Sequence, residues 1–160
     1  MNNPVPNGDQ IDPKSLVGTA IVEVAASFFT DARGRSPHPV FYYVRTDSTG
    51  WIKISNAPDG QTLRWRLCSK PEDVDVQELG EIAVESQENT PPFDATLNEP
   101  ILGVESIIVP QVGAAIGVLL RWAKRQLLIF AWGDELVASE TWPTYLVEGG
   151  AEVEGTDGTI

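Results

Sequence analysis

The chain is short of several residues that carry chemistry, and each shortage closes a route. Cysteine occurs once in 160 residues, at Cys68. That excludes an internal disulfide framework and any zinc site built on clustered thiolates. Histidine also occurs once, at His38 within SPHPV. One imidazole cannot make a histidine-based metal site, and between two prolines it reads as a loop residue. The opening MNNPVPNGDQIDPK has neither a basic nor an apolar region of the kind a secretory signal needs. The longest apolar stretch, residues 112–132, is interrupted by Arg121, Lys124 and Arg125. Three cations there would cost several kcal/mol in a bilayer, so it divides into two strand-length pieces. A soluble, cytoplasmic protein of a reducing compartment is expected.

Cations are scarce as well: 11 against 23 acids, a formal charge of −12. Their distribution is uneven. Residues 31–70 hold seven cations and three acids, whereas residues 71–120 hold ten acids and no Lys or Arg. A whole-molecule charge of this sign repels nucleic acid and anionic membranes. Two readings of the segregation stand side by side. In one, the acidic segment pairs with the protein's own basic strands and keeps it soluble. In the other, it forms a face that steers and docks a basic partner.

What is present points to β structure. Fourteen Gly and twelve Pro favour turns over long helices. The meander is the clearest local signal: VFYYVRT, WIKIS and QTLRWRLCS, separated by DSTG and NAPDG. In it Ile52 and Ile54 face one way and Trp51 and Lys53 the other. Leu63, Trp65 and Leu67 are expected inward, with Arg64 and Arg66 outward. LVGTAIVEVAASFF reads as one long strand, and TDARGRSPHP as a loop in which Pro37 and Pro39 rule out helix. Residues 81–86 form a candidate strand, after a possible short helix at residues 72–79 that would make the fold α+β. Residues 112–126 fit both a helical stripe and an alternating strand. Gly113 and Gly117 and the missing N-cap favour a hairpin, with strands at 115–122 and 126–132 and a third at 136–139. The fold expected is therefore mainly β, an antiparallel meander plus a C-terminal hairpin in a sandwich or small open barrel. Residues 1–14 read as a flexible lead-in, 15–147 as one domain, and 148–160 as an acidic, Gly-rich tail.

RQLLIFAWGDELVASE poses the sharpest question, because Gly133-Asp134-Glu135 could be a carboxylate pair at a strand end. Adjacent residues of a strand–turn–strand point to opposite sides, which argues for a turn. The run before it suits a strand buried on both faces. IGVLLRWAKRQLLIFAWGDELVAS resembles terminal hairpins of small bacterial proteins, some of them immunity-like. DVDV at residues 73–76 resembles the paired aspartates of haloacid-dehalogenase-type phosphatases, yet CSKPE before it is no apolar strand to present a nucleophile. Asp73, Asp75 and Glu78 lack the Gly and further ligands of a calcium loop. Cys68 has no local catalytic signature, although pairing with His38 is conceivable. Arg45, Lys53, Arg64 and Arg66 suggest a nucleic-acid sheet only weakly, because Trp65 alternates away from the arginines. No phosphate-binding loop, nucleophile elbow or His-Glu-x-x-His is present.

No catalytic, cofactor-binding or metal-binding residue is therefore expected. The expected function is non-enzymatic: an acidic protein-binding domain, toxin-neutralising (immunity-like) or inhibitory. Its partner would be a protein with a basic surface, and its contact residues Glu72, Asp73, Asp75, Glu78, Glu81 and Glu85. A structural subunit of a phage or secretion particle is the alternative, and a small carboxylate-dependent enzyme the second alternative.

Overall fold

A computed structural model of the chain describes residues 9–95 and 97–154. Seven strands make the first sheet: β1 (Ile21–Asp31), β2 (Gly34–Arg35), β3 (Phe41–Thr46), β4 (Trp51–Asn56), β5 (Leu63–Cys68), β6 (Val74–Asp75) and β7 (Glu81–Ser86). Their order is β5-β4-β3-β1-β7-β6, with β2 folded back on β1. The second sheet joins β8 (Gly103–Ile108), β9 (Ala115–Arg121), β10 (Gln126–Trp132), β11 (Glu135–Ser139) and β12 (Glu152–Glu154), in the order β11-β10-β9-β8-β12. Every pairing is antiparallel. The mainly β fold expected from the sequence is what the chain adopts.

The two sheets pack face to face. Val24, Ala26, Phe28, Val44, Ile52, Ile54 and Trp65 of the first meet Val118, Leu120, Leu127 and Ile129 of the second. The second sheet also buries its other face, where Ile116, Leu119, Leu128 and Phe130 lie beneath Leu146. Leu146 belongs to α1 (Thr144–Glu148), whose Tyr145 ring sits 5.1 Å from that of Trp132. Strand β10 thus has five fully buried residues in succession, which explains an apolar run without alternation.

Turn chemistry closes the hairpins. Trp132 pairs with Glu135 across Gly133 and Asp134, whose φ values are 57° and 68°. Two positive values make the mirror-image turn that matches strand twist, and Gly-Asp supplies them at low cost. At the β4–β5 turn, Asp59 accepts hydrogen bonds from the Gln61 and Thr62 backbone N–H groups, which hold its carboxyl below its ordinary range. In β9, Ile108 pairs with Ala115 and Ile107 with Gly117, so Ile116 is a bulge. Gly117 then faces Phe130 directly.

Several expectations need correction. LVGTAIVEVAASFF is not one strand: Leu16 ends a 3-10 turn (Pro13–Leu16), the chain bends at Gly18, and β1 begins at Ile21. The helix at 72–79 is absent. A two-residue strand and a 3-10 turn (Gln77–Leu79) occupy the segment, so no α+β arrangement arises there. Arg35 in the expected loop pairs with Thr30. Leu67 is 43 % exposed although it shares the inner face with Ile52, because it lies at the end of an edge strand beyond the opposing sheet. Parts of the expected lead-in and tail are built into the fold. Ile11 N–H donates to the Trp65 carbonyl, and β12 completes the second sheet. Residues 1–8 and 155–160 lie outside the described residues. Among those described, no helix is long and apolar enough to cross a membrane.

A Cβ at position 117 would overlap the Ile129 carbonyl oxygen and lie 2.5 Å from Phe130 Cα. Gly117→Ala should therefore cost about 3 kcal/mol, read from the urea midpoint. Burial pushes the Tyr42 hydroxyl up to about 12 from its ordinary 10.0. The raised value favours the neutral phenol of the folded state. Its contribution is complete below pH 10 and is lost as pH rises from 10 to 12, by up to about 3 kcal/mol. Urea titrations across that window should show a shallower loss for Tyr42→Phe than for the native chain.

Candidate functional site

The acidic residues singled out in the sequence gather at one edge of the first sheet: Glu72 and Asp73 just before β6, Asp75 on it, Glu78 in the turn that follows, and Glu81 and Glu85 on β7. They do not share one role. Asp73 Oδ1 accepts from the Val84 backbone N–H at 2.7 Å, standing in for a ladder bond where β6 is too short. Asp75 Oδ1 accepts from the Gln77 N–H at 2.7 Å and so stabilises a turn in which Gln77 has φ 58°. Glu85 is held by both arms of Arg35, at 2.9 and 2.8 Å, and that guanidinium lies 3.5 Å over the Phe28 ring. These three carboxylates maintain the fold. Glu72, Glu78 and Glu81 are exposed and meet no cation among the described residues.

Apolar side chains break the surface among them. Leu79 is 74 % exposed and Val74 49 %. The register also sets Asp75 directly opposite Glu81. Like charges in facing positions destabilise a sheet by some tenths of a kcal/mol, so this edge is not arranged for stability.

Pairing of the acidic segment with the basic strands, one expectation from composition, is largely overturned. Arg35–Glu85 is the one ion pair between them among the described residues. Arg45 pairs with Glu23, Arg33 with Asp31, Arg121 with Glu105, and Arg125 with Glu140. The register explains this, because β1 lies between the basic strands and β7.

Asp134 and Glu135 come together with the single histidine. A cleft of about 470 Å³ is lined by Phe29, His38, Phe41, Asn56, Asp134 and Glu135, among others. His38 Nε2 lies 3.4 Å from Glu135 Oε2, with both side chains about half exposed. A pair so open to water contributes little, because solvent and salt screen it. The Asp134 carboxylate lies against Gly60, where an added Cβ would overlap it, and its carbonyl accepts from Asn56 Nδ2 at 2.8 Å. Asp134 is thus a clamp between the β4–β5 and β10–β11 turns. Cys68 is opposite Trp51 at one end of β4, while Asn56 at the other end lines the His38 cleft. Five residue steps separate the ends, roughly 17 Å, so no Cys–His pair forms. Burial pushes the Cys68 thiol up, with Lys53 opposing the shift. Among the described residues no three of His, Cys, Asp and Glu gather as a metal site.

No family model, curated protein or solved structure matches the chain. Relief of the facing charges provides a test of the edge: Glu81→Gln should raise stability by about 0.2–0.5 kcal/mol at low salt, measured by urea denaturation, with the gain shrinking at 0.5 M salt.

Proposed function

We propose that the chain is a protein-binding domain that docks a basic partner on its β6–β7 edge. One observation carries the reading: exposed Leu79 and Val74 are framed by Glu72, Glu78 and Glu81, which no cation of the described residues neutralises. An apolar centre with a charged rim is the composition of a specific protein contact. Sparing these carboxylates from pairing leaves their field available to steer a basic surface. Neutralising a toxin or inhibiting an enzyme with a basic cleft is the concrete form, because an acidic surface complements such a cleft in charge.

The experiment is affinity capture followed by titration of whichever basic protein is retained. The native chain is expected to bind it at 50 mM salt. A Glu72→Gln, Glu78→Gln, Glu81→Gln chain should bind at least tenfold more weakly, and Leu79→Ser should weaken binding even at 300 mM salt. Unchanged affinity in both variants would retire the proposal.

A further inference from the structure

The other pole of the molecule lies on the open face of the first sheet. Ile52, Ile54 and Trp65 point into the core, so the alternate residues of the same strands face away from the second sheet. Those residues are Phe41, Tyr43 and Arg45 on β3, Trp51 and Lys53 on β4, and Arg64 and Arg66 on β5; Tyr43 is itself buried, so Phe41 and Trp51 are the rings these three strands offer on that face. Both apolar clusters of the described residues lie elsewhere, between the sheets and beneath α1.

We propose that this face binds single-stranded nucleic acid. The register sets Tyr43, Lys53 and Arg66 in one row across three strands, with Lys53 and Arg66 directly opposite each other. Two facing cations destabilise a sheet. Acids outnumber cations 23 to 11, yet neither Lys53, Arg64 nor Arg66 has a carboxylate within 4.0 Å among the described residues. Lys53 Nζ instead lies 4.6 Å from the Phe41 ring centroid, and Phe41 meets Tyr43 edge-on at 6.1 Å. Half-buried Trp51 and Phe41 therefore share a surface with cations that have no carboxylate partner among the described residues.

Cations beside aromatic faces on an open sheet match a strand of phosphates and stackable bases. An acidic polypeptide would satisfy the cations but leave the rings with nothing planar to stack on. The charge of −12 does not forbid this. Glu81 on β7 is three strand spacings from Lys53 on β4 and four from Arg64 and Arg66 on β5, about 14 and 19 Å along the sheet. That is about two Debye lengths at physiological salt, so the acidic edge is largely screened from the basic strands. Recognition by stacking and phosphate contact carries no sequence preference and does not separate DNA from RNA.

The test uses the intact chain with fluorescein-labelled 12-residue oligothymidine and oligouridine at 25 mM salt. Saturable anisotropy change with quenching of tryptophan fluorescence is expected for both. Three phosphate contacts predict an affinity loss of about twentyfold between 50 and 200 mM salt. A Lys53→Glu, Arg66→Glu chain, shown folded by circular dichroism, should bind at least tenfold more weakly. Trp51→Leu should abolish the quench. At 150 mM salt, where the Debye length is about 8 Å, the Glu72→Gln, Glu78→Gln, Glu81→Gln chain should bind as the native chain does, which separates this proposal from the docking edge. Absence of saturable binding at 25 mM salt, equal binding by the Lys53–Arg66 variant, or binding of polyglutamate in place of the oligonucleotides would overturn it.

Discussion

At Gly117 the backbone of β9 passes so close to β10 that Phe130 occupies the space a side chain would need. This contact sits on β10, a strand buried on both faces, and the surrounding architecture answers to it. Leu127 and Ile129 require one cover, Leu128 and Phe130 another. Each side chain of this size contributes about 1.5–3 kcal/mol when fully removed from water, so neither face can be left open. The first sheet supplies one cover. The second comes from α1 and its flanks, which possess little helical propensity of their own and are held by Leu146 and Tyr145. Because the second sheet takes both covers, the first is left with a single neighbour. Its remaining face, with Trp51 and Lys53, is open for that reason.

Much of this was legible in the sequence wherever the signal was local. Pro58-Asp59-Gly60 and Gly133-Asp134 mark turns by backbone preference, and the strands between them alternate or run apolar according to burial. The order β9-β10-β11 and the strand at Glu81–Ser86 follow from such signals. What escaped depends on distant partners. Ile11 gains its place by donating to Trp65, and β12 exists because Ile107 and Ile108 offer it an edge. Residues 72–79 contain helix formers, yet Asp73 and Asp75 bond to backbone N–H groups and divert the chain into a turn.

The same limit applies to the candidate sites. Composition picks out Glu72, Asp73, Asp75, Glu78, Glu81 and Glu85 as one acidic set, but only the folded chain divides them. Glu85 meets Arg35, fifty residues away in the chain. Alternation alone shows that Arg64 and Arg66 turn away from Trp65. That Phe41 and Tyr43 join them on the outer face needs the β3–β4 register, which no sequence pattern specifies.

Charge segregation in this fold is not a by-product of packing. The buried clusters contain no ionised group, so acids and cations could be interspersed over the surface with no effect on the core. Interspersion would be more stable: Asp75 would not face Glu81, nor Lys53 face Arg66. Each facing pair costs some tenths of a kcal/mol against a total stability of only 5–15, a small but real burden. On the two readings proposed above, the cost would have a return in encounter kinetics. Opposite poles separated by more than a Debye length would orient the molecule in the field of an approaching partner before contact. An acidic edge and a basic face on one sheet would then select different partners, and neither would neutralise the other.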